Sequence, residues 1–438
     1  MFETLKNVFR VKEMRRKLLY LIWMIFIIRI GCQIPVPGVD SDFFKQWFSS
    51  NAGDAFNFFD AFTGGSFESM SVFALNITPY ITSSIIIQLL TIAIPALEEM
   101  QRDGEEGRKK LTAITRYVTV GLALFESVAM AVGFGRQGLL TTFNAVNVIV
   151  VVAALTAGSA FLMWVGEQIN DKGVGNGISM VLLINILSRI PQDMVTLYET
   201  FVKGKTIARG LLMWIIIAVV IIAVVVLVLI LNGAERRIPV QYSKKMAGRK
   251  MVGGQSSNIP LKVNTAGVIP IIFASSIMSF PSIILSFVGK SEIKGIGGTL
   301  IKMLNSNNWF DKTNPVASLG LILYIVLVIF FAYFYTSITF NPMEVADNMK
   351  KQGGFIPGIR PGKSTVDYLN NLLSYIIFIG AAGLTIVAVI PFFFNGFFKA
   401  NVSFGGTSLI IIASVILETL KQIESMMLVR NYKGFLND

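Results

Sequence analysis

The sequence predicts an all-α membrane protein with ten transmembrane helices. Hydrophobic residues make up 53% of the 438 positions, charged residues only 15%, and the mean hydropathy is +0.65. A soluble chain of this length needs far more charge to cover its surface. The apolar residues also fall into long uncharged runs, a pattern typical of a chain that crosses a bilayer many times.

Each predicted span is an apolar run close to the roughly 20 residues that a helix needs to cross the hydrocarbon core. The clearest run is 211–231, which holds no charged or strongly polar side chain. Five similar runs and four weaker ones bring the predicted number to ten. In chain order the spans are 18–36, 76–97, 117–135, 145–166, 178–198, 211–231, 266–289, 317–340, 372–394 and 404–426.

The distribution of basic residues predicts the orientation of these spans. With both termini in the cytoplasm, 26 of the 38 Lys and Arg residues fall on the cytoplasmic side. Eleven fall outside, with Arg189 counted among them, and Arg29 lies within a span. Loops rich in Lys and Arg stay in the cytoplasm. The ratio of 26 to 11 therefore favours cytoplasmic N- and C-termini, and we expect no cleavable signal peptide.

The composition argues against an enzyme and against a bound cofactor or metal. The chain has no histidine and one cysteine, Cys32, which removes Ser-His-Asp and Cys-His arrangements and histidine metal sites. The run IRPGKST resembles the end of a phosphate-binding loop, but Pro357 stands where its first glycine belongs. We therefore expect any energy for transport to come from a partner or a gradient.

Two stretches do not fit simple spans. Residues 55–75 are apolar and aromatic but short, and Gly64-Gly65 interrupts them. They form either a re-entrant element or an amphipathic surface helix, and hydropathy alone slightly favours the surface helix. Residues 341–365 contain Pro342 and several Gly and Pro-Gly pairs, so we expect tight turns rather than a helix.

The candidates for functional charge inside a span are Arg29, Glu126 and Glu418. Charge inside a span is typical of ion-coupled transporters. Arg29 and Glu418 lie toward span ends, where a side chain reaches the interface easily. Glu126 is nearer mid-span, but we see no partner for it, so a structural role is favoured over a proton relay.

Several long motifs resemble the SecY family of protein-conducting channels. They occur in the family's order and fall on the predicted topology. The motifs are PYITSSIIIQLL (79–90), GEQINDKGVGNGIS (166–179), IPLKVNTAGVIPIIFASS (259–276), NPMEVADNMKKQGGFIPGIRPGKST (341–365) and FGGTSLIIIASVILETLKQIES (404–425).

The resemblance implies two pseudo-symmetric five-helix halves around a central hourglass pore, residues 1–200 and 201–438. It also implies a ring of aliphatic side chains at the waist of the pore. Such a ring obstructs ions by dewetting and makes no directional bonds to a passing chain. Isoleucines at i,i+4 are, however, more often ordinary packing or lipid contacts. The implied ring residues are Ile81, Ile85, Leu182, Ile186, Ile272 and Ile411.

The resemblance further assigns residues 55–75 to a short re-entrant plug helix, with Gly64-Gly65 as a hinge beside Phe62 and Phe67. This reverses the preference for a surface helix. The implied lateral gate runs between spans two and three on one side and seven and eight on the other. Its polar side chains either hold the gate shut by weak hydrogen bonds or simply permit close packing. They are Ser83, Ser84, Gln88, Ser275 and Ser276.

Loops 233–265 and 341–365 resemble the family's docking site for the ribosome and the motor ATPase SecA, with Arg236, Arg237 and Arg360 at matching positions. Arginine pairs bidentately with carboxylate or phosphate. The same charge also serves to orient the protein. The implied partners are SecE, SecG, SecA, the ribosome, signal peptides with nascent chains, and lipids. The implied location is the bacterial plasma membrane.

The predicted function is therefore a passive channel that conducts unfolded secretory proteins and releases transmembrane segments sideways into the bilayer. A secondary transporter is the main alternative, and it predicts paired charges near the bilayer midplane. An intramembrane enzyme is a third possibility, but no catalytic constellation supports it.

Overall fold

The computed structural model describes most of the chain. The described residues are 11–51, 60, 63–135, 138, 140–203, 207–242, 245–247, 250–252, 256–288, 296–304, 309, 315–398 and 406–434.

A long helix occurs at each of the ten predicted spans. These helices are α1 (Lys12–Gly31), α3 (Thr78–Ala93), α5 (Glu105–Gly135), α6 (Ala145–Lys172), α7 (Gly177–Phe201), α8 (Ile207–Gly233), α9 (Ile269–Val288), α11 (Leu319–Thr339), α13 (Lys363–Phe398) and α14 (Gly406–Gly434). Four shorter helices complete the set in the described residues: α2 (Ser41–Asn51), α4 (Pro95–Arg102), α10 (Ile296–Leu304) and α12 (Pro342–Lys351).

Six helical stretches in the described part of the chain are long and apolar enough to cross a membrane by themselves. The pair α3 and α4 is bent by 103° between Ala93 and Pro95, and it makes a seventh if the two helices together form one span. The chain is therefore a multi-pass membrane protein. Length and composition alone do not establish ten spans, although ten is consistent with the helices found.

The chain divides into two compact units. The first comprises Met1–Thr196, Pro281–Ile301 and Val415–Asp438, and the second comprises Leu197–Phe280 and Lys302–Ser414. The predicted division into halves at residue 200 stays a prediction. In the first unit, α5 packs along α6 and against α3. A buried core there includes Phe67, Met70, Phe134 and Leu155.

The second unit contains a small β-subdomain. β1 (Glu235–Tyr242) pairs antiparallel with β4 (Ser256–Lys262), and β5 (Gly354–Phe355) pairs with the other edge of β1. In the part of the chain between β1 and β4, β2 (Lys245–Ala247) and β3 (Lys250–Val252) form a separate two-stranded ribbon. Ile238 and Val240 of β1 point into a core shared with Leu369 and Leu373 of α13. Loop 233–265 is thus largely β-structure.

The prediction of turns without a helix across 341–365 is wrong for its first part. Residues Pro342–Lys351 form α12. The Asn341 side chain accepts hydrogen bonds from the backbone N–H groups of Met343 and Glu344, at 3.1 and 3.4 Å. Pro342 occupies the first turn, where its missing N–H costs nothing. The predicted turns follow the helix, at glycines with positive φ: Gly353, Gly358 and Gly362.

The described part of segment 55–75 is only partly helical. Asp60 and Thr63 are helical, and the chain then runs through consecutive turns from Gly64 to Ile77. An isolated β-bridge joins Ser71 of this segment to Pro35, which follows α1. The segment is well buried, since Thr63, Ser66, Phe67 and Met70 are each 3% exposed or less. It therefore packs inside protein, and its described part is not an amphipathic surface helix.

Candidate functional site

The four ring residues predicted in the first unit lie on two helices. Ile81 and Ile85 lie one turn apart on α3, and both are half-buried. Leu182 and Ile186 lie one turn apart on α7 and are buried. Each pair therefore presents two aliphatic side chains on one helix face.

The second unit contributes the other two predicted ring residues. Ile272 lies near the beginning of α9 and is half-buried, and Ile411 lies on α14 and is buried. All six ring residues are thus helical and aliphatic. Their assembly into one ring stays a prediction.

The segment predicted as the plug lies directly against α7. A Cβ on Gly64 would lie 2.8 Å from the Asn185 carbonyl oxygen and 2.9 Å from the Ser188 hydroxyl. Gly64 and Gly65 both have positive φ, at +67° and +84°. Glycine is the residue that adopts this backbone at such close range without strain. The two glycines therefore let the chain turn while touching the helix.

Phe67 fixes the far side of this turn. Its ring packs edge-on against Phe44 of α2, with the ring centroids 5.6 Å apart. Phe44 in turn packs edge-on against Phe134 of α5, at 5.3 Å. Phe62, also predicted as a plug residue, lies outside the described residues.

Arg189 of α7 forms ion pairs with two acidic residues of the same segment. Its Nη1 lies 2.6 Å from Asp60 Oδ2 and 2.9 Å from Glu68 Oε2. The Asp60 side chain is fully buried, and the Arg189 and Glu68 side chains are 15% and 27% exposed. Asp60 Oδ1 also accepts a hydrogen bond from the Glu68 backbone N–H at 2.9 Å. We call Asp60, Glu68 and Arg189 the ion cluster.

The sequence analysis missed this ion cluster. Arg189 was counted with the outer loops, whereas it lies inside α7. The sequence did carry a signal. Segment 55–75 holds only two charged residues, Asp60 and Glu68, and Arg189 is the one basic residue of span 178–198. Opposite charges in two membrane segments are expected to pair.

A buried polar network lies beside the ion cluster. Asn185 donates from Nδ2 to Asn76 Oδ1 at 3.1 Å, and Ser159 of α6 donates to the Asn76 carbonyl at 3.0 Å. Asn76 has a positive φ of 51° at the last turn before α3. Buried amides need such partners to offset the loss of water. The network thus ties α6 and α7 to the chain just before α3.

The polar residues predicted for the lateral gate differ in burial. In the first unit, the Ser83 hydroxyl lies 2.5 Å from Thr119 Oγ1 and 3.3 Å from the Thr115 carbonyl oxygen, both on α5. Ser83 therefore joins spans two and three. Ser84 is half-buried and Gln88 is exposed. In the second unit, Ser275 is buried, whereas Ser276 is exposed.

The three predicted docking arginines all belong to the β-subdomain or its border. Arg236 and Arg237 are exposed on β1, and Arg360 is exposed in the turns that follow β5. Arg237 Nη2 pairs with Glu235 at 2.7 Å. The Arg360 carbonyl accepts a hydrogen bond from Thr365 Oγ1 at 2.9 Å, which fixes its turn to the beginning of α13. Pairing of β1 with β5 thus joins the two predicted docking loops.

The three candidate intramembrane charges differ in their exposure. Glu126 is half-buried on α5 beside the exposed Leu124 and Phe125. Glu418 is exposed on α14. Arg29 is half-buried on α1, and its Nη1 has no hydrogen-bond partner in the described structure.

Comparison with known proteins gives a consistent result. The SecY family profile matches residues 71–420. The protein translocase subunit SecY of Halalkalibacterium halodurans is 42% identical over 446 residues, and that of Bacillus subtilis is 40% identical over 451 residues. In both pairs the match covers 100% of each chain.

Solved structures show the same fold at low sequence identity. A structure described as a protein conducting channel has a TM-score of 0.63 at 17% identity, covering 94% of this chain and 92% of that one. Sec61 in the canine ribosome-channel complex has a TM-score of 0.59 at 16% identity, with the same coverage. The predicted all-α membrane fold is confirmed, and the chain belongs to the SecY family, as a protein-translocation channel subunit and not an enzyme.

Proposed function

We propose that the translocation path of this channel narrows at a ring formed by Ile81, Ile85, Leu182, Ile186, Ile272 and Ile411, with segment 55–75 as the plug that closes it at rest. One observation carries this proposal. The plug segment touches α7 at Asn185, the residue next to Ile186 in the chain. A blocking segment seated at the ring needs this proximity. An aliphatic ring also suits the task, because it obstructs ions without selecting among peptide sequences.

We further propose that the channel releases transmembrane segments sideways between spans two and three and spans seven and eight. The hydrogen bonds of Ser83 to α5 support treating spans two and three as one wall of this gate. Hydrogen bonds between membrane helices contribute only about 0.6 kcal/mol each on average. Contacts this weak across the gate would yield to an inserting signal sequence.

The proposed setting is the bacterial plasma membrane, with both termini in the cytoplasm and SecE and SecG as companion subunits. The β-subdomain is the proposed docking surface for the motor SecA and for the ribosome. Its exposed Arg236 and Arg360 support an acidic partner, because guanidinium pairs well with phosphate and carboxylate. Sec61, a structural relative, was solved in a ribosome-channel complex.

Photo-crosslinking to a stalled secretory precursor tests the pore. A crosslinking amino acid is placed at Ile81, Ile186 or Ile272, and the precursor is arrested midway through translocation. We expect crosslinks from all three positions. The matched control is Ile222 of α8, an isoleucine with 62% exposure in a stretch that qualifies as a membrane span. It should crosslink to lipid and not to the precursor.

Absence of crosslinks from the three ring positions, with the precursor shown to be engaged, would remove this pore assignment. Equal crosslinking from Ile222 would show that the probe does not distinguish the path from the lipid.

A further inference from the structure

The ion cluster holds the plug segment from both sides of its glycine turn. Asp60 precedes Gly64-Gly65 and Glu68 follows them, and both carboxylates reach the same Nη1 of Arg189. The turn itself rests on the α7 backbone, and a Cβ on Gly65 would lie 3.3 Å from that Nη1. The segment is therefore attached to α7 by two ion pairs and one close backbone contact within five consecutive residues of the helix, 185–189.

Because the ion cluster is largely buried, the attachment of the segment depends on each of its three charged residues. A buried charge that keeps its partner is tolerated, whereas one that loses its partner is strongly unfavourable. Asp60 is fully buried and depends on Arg189 for its opposite charge. Without the guanidinium, the acidic side chains lose the opposite charge that stabilises their ionised form, and moving the segment out to water restores their solvation.

The cluster is formed only while the segment lies on α7. Asp60 and Glu68 belong to the short turn-rich segment, and Arg189 belongs to a long helix. Moving the segment away separates the charges completely, whereas the apolar contacts of Phe67 can be replaced by other apolar contacts. The ion pairs are thus specific to the docked position.

We propose that Arg189 is the positioning residue that latches the resting plug to α7, and that opening of the channel requires the ion pairs with Asp60 and Glu68 to break. This inference rests on the proposed function, in which segment 55–75 is the plug.

The test measures how fast a buried reporter in the plug becomes accessible. The background is Cys32→Ser, because Cys32 is the only cysteine of the chain. The reporter is Ser66→Cys, a near-isosteric change at a side chain with 1% exposure. The idle channel complex, without precursor, is reconstituted in proteoliposomes and treated with a membrane-impermeant maleimide. We expect slow labelling in this parent.

Arg189→Gln in the parent should increase the labelling rate by on the order of 100-fold, because it leaves buried carboxylates unpaired. Arg189→Lys keeps the charge and should recover part of the protection. Asp60→Asn should have a smaller effect than Arg189→Gln, because Glu68 still pairs with the arginine. The matched control is Arg116→Gln, which breaks the 2.6 Å pair of α5 and α6 between Arg116 and Glu167 in the same unit.

The double variant Arg189→Gln/Asp60→Asn separates charge from packing. A latch predicts that the double variant labels more slowly than Arg189→Gln alone, because the unpaired buried carboxylate is gone. A packing role predicts that the two effects add. Additivity would overturn the proposal, as would an unchanged rate in Arg189→Gln or an equal rise in Arg116→Gln.

Labelling is measured in the idle channel, without precursor, so a negative labelling result can be distinguished from a failure of the proposed pore. If the ring positions crosslink to the precursor but Arg189→Gln leaves the labelling rate unchanged, the proposed pore stands and the proposed latch is wrong. If Arg189→Gln labels faster but the ring positions do not crosslink, the proposed latch stands and the proposed ring is wrong.

Discussion

At the scale of single residues, Gly64 meets two demands: a left-handed backbone conformation and a close contact that leaves no space for a side chain. Its φ of +67° favours glycine, and its Cα faces the α7 backbone with no space for a side chain. The first demand costs an L-residue about 1–2 kcal/mol. The second cannot be met by rotating a side chain, because Asn185 contributes backbone atoms.

Gly64→Ala should therefore displace the plug segment from α7. We expect faster maleimide labelling of Ser66→Cys in the idle channel, since the added methyl forces the two backbones apart. The matched control is Gly104→Ala in the same unit. Gly104 has a similar φ of +73° but no atom within 4 Å of its built Cβ. Gly104→Ala should leave labelling unchanged, and equal effects would attribute the result to backbone strain alone.

At the scale of elements, α12 shows how a short polar helix is fixed inside a turn-rich loop. Asn341 caps its beginning, Lys350 and Lys351 complement its last turn, and Ala346 and Met349 enter the core of the β-subdomain. The N-cap, the lysines of the last turn and the spacing of the apolar residues are local features that the sequence itself contains. The Gly-Pro content of the residues after the helix obscured them.

Asn341→Ala should loosen α12 by about 1 kcal/mol, the usual cost of losing an N-cap. The expected result is faster hydrogen exchange of the backbone amides in Pro342–Lys351, with the span helices unchanged. Asn348→Ala is the control, because Asn348 is exposed on the same helix and does not cap it. Equal acceleration in both variants would contradict the role of the cap.

At the scale of the whole molecule, hydropathy predicted the positions of helices because an apolar run is a local feature of the sequence, and six or seven of the described helical stretches are apolar enough to cross a membrane. It did not locate the ion cluster, because Arg189 and Glu68 are 121 residues apart in the chain. The pairing of β1 with β5 was missed for the same reason: Gln241 and Phe355 become neighbours only in the folded subdomain. The family motifs supplied the plug assignment, which hydropathy had put in second place.

The predicted orientation is tested by single cysteines in the Cys32→Ser background. Asn144 and Gln352 are both exposed and lie in connections predicted on opposite sides of the membrane. Asn144→Cys should react with an impermeant maleimide added outside intact cells, and Gln352→Cys should react only in inverted vesicles. The reverse pattern would overturn the assignment of both termini to the cytoplasm.

The helix α13 has 36 residues, so it is about 54 Å long, whereas the hydrocarbon core is about 30 Å thick. Its beginning is embedded in the β-subdomain, where Leu369 and Leu373 pack against Ile238 and Val240. The predicted span and the β-subdomain thus share one helix. Because Leu369 and Leu373 anchor the beginning of α13 in the core of the β-subdomain, a displacement of that subdomain is transmitted directly to the rest of the helix.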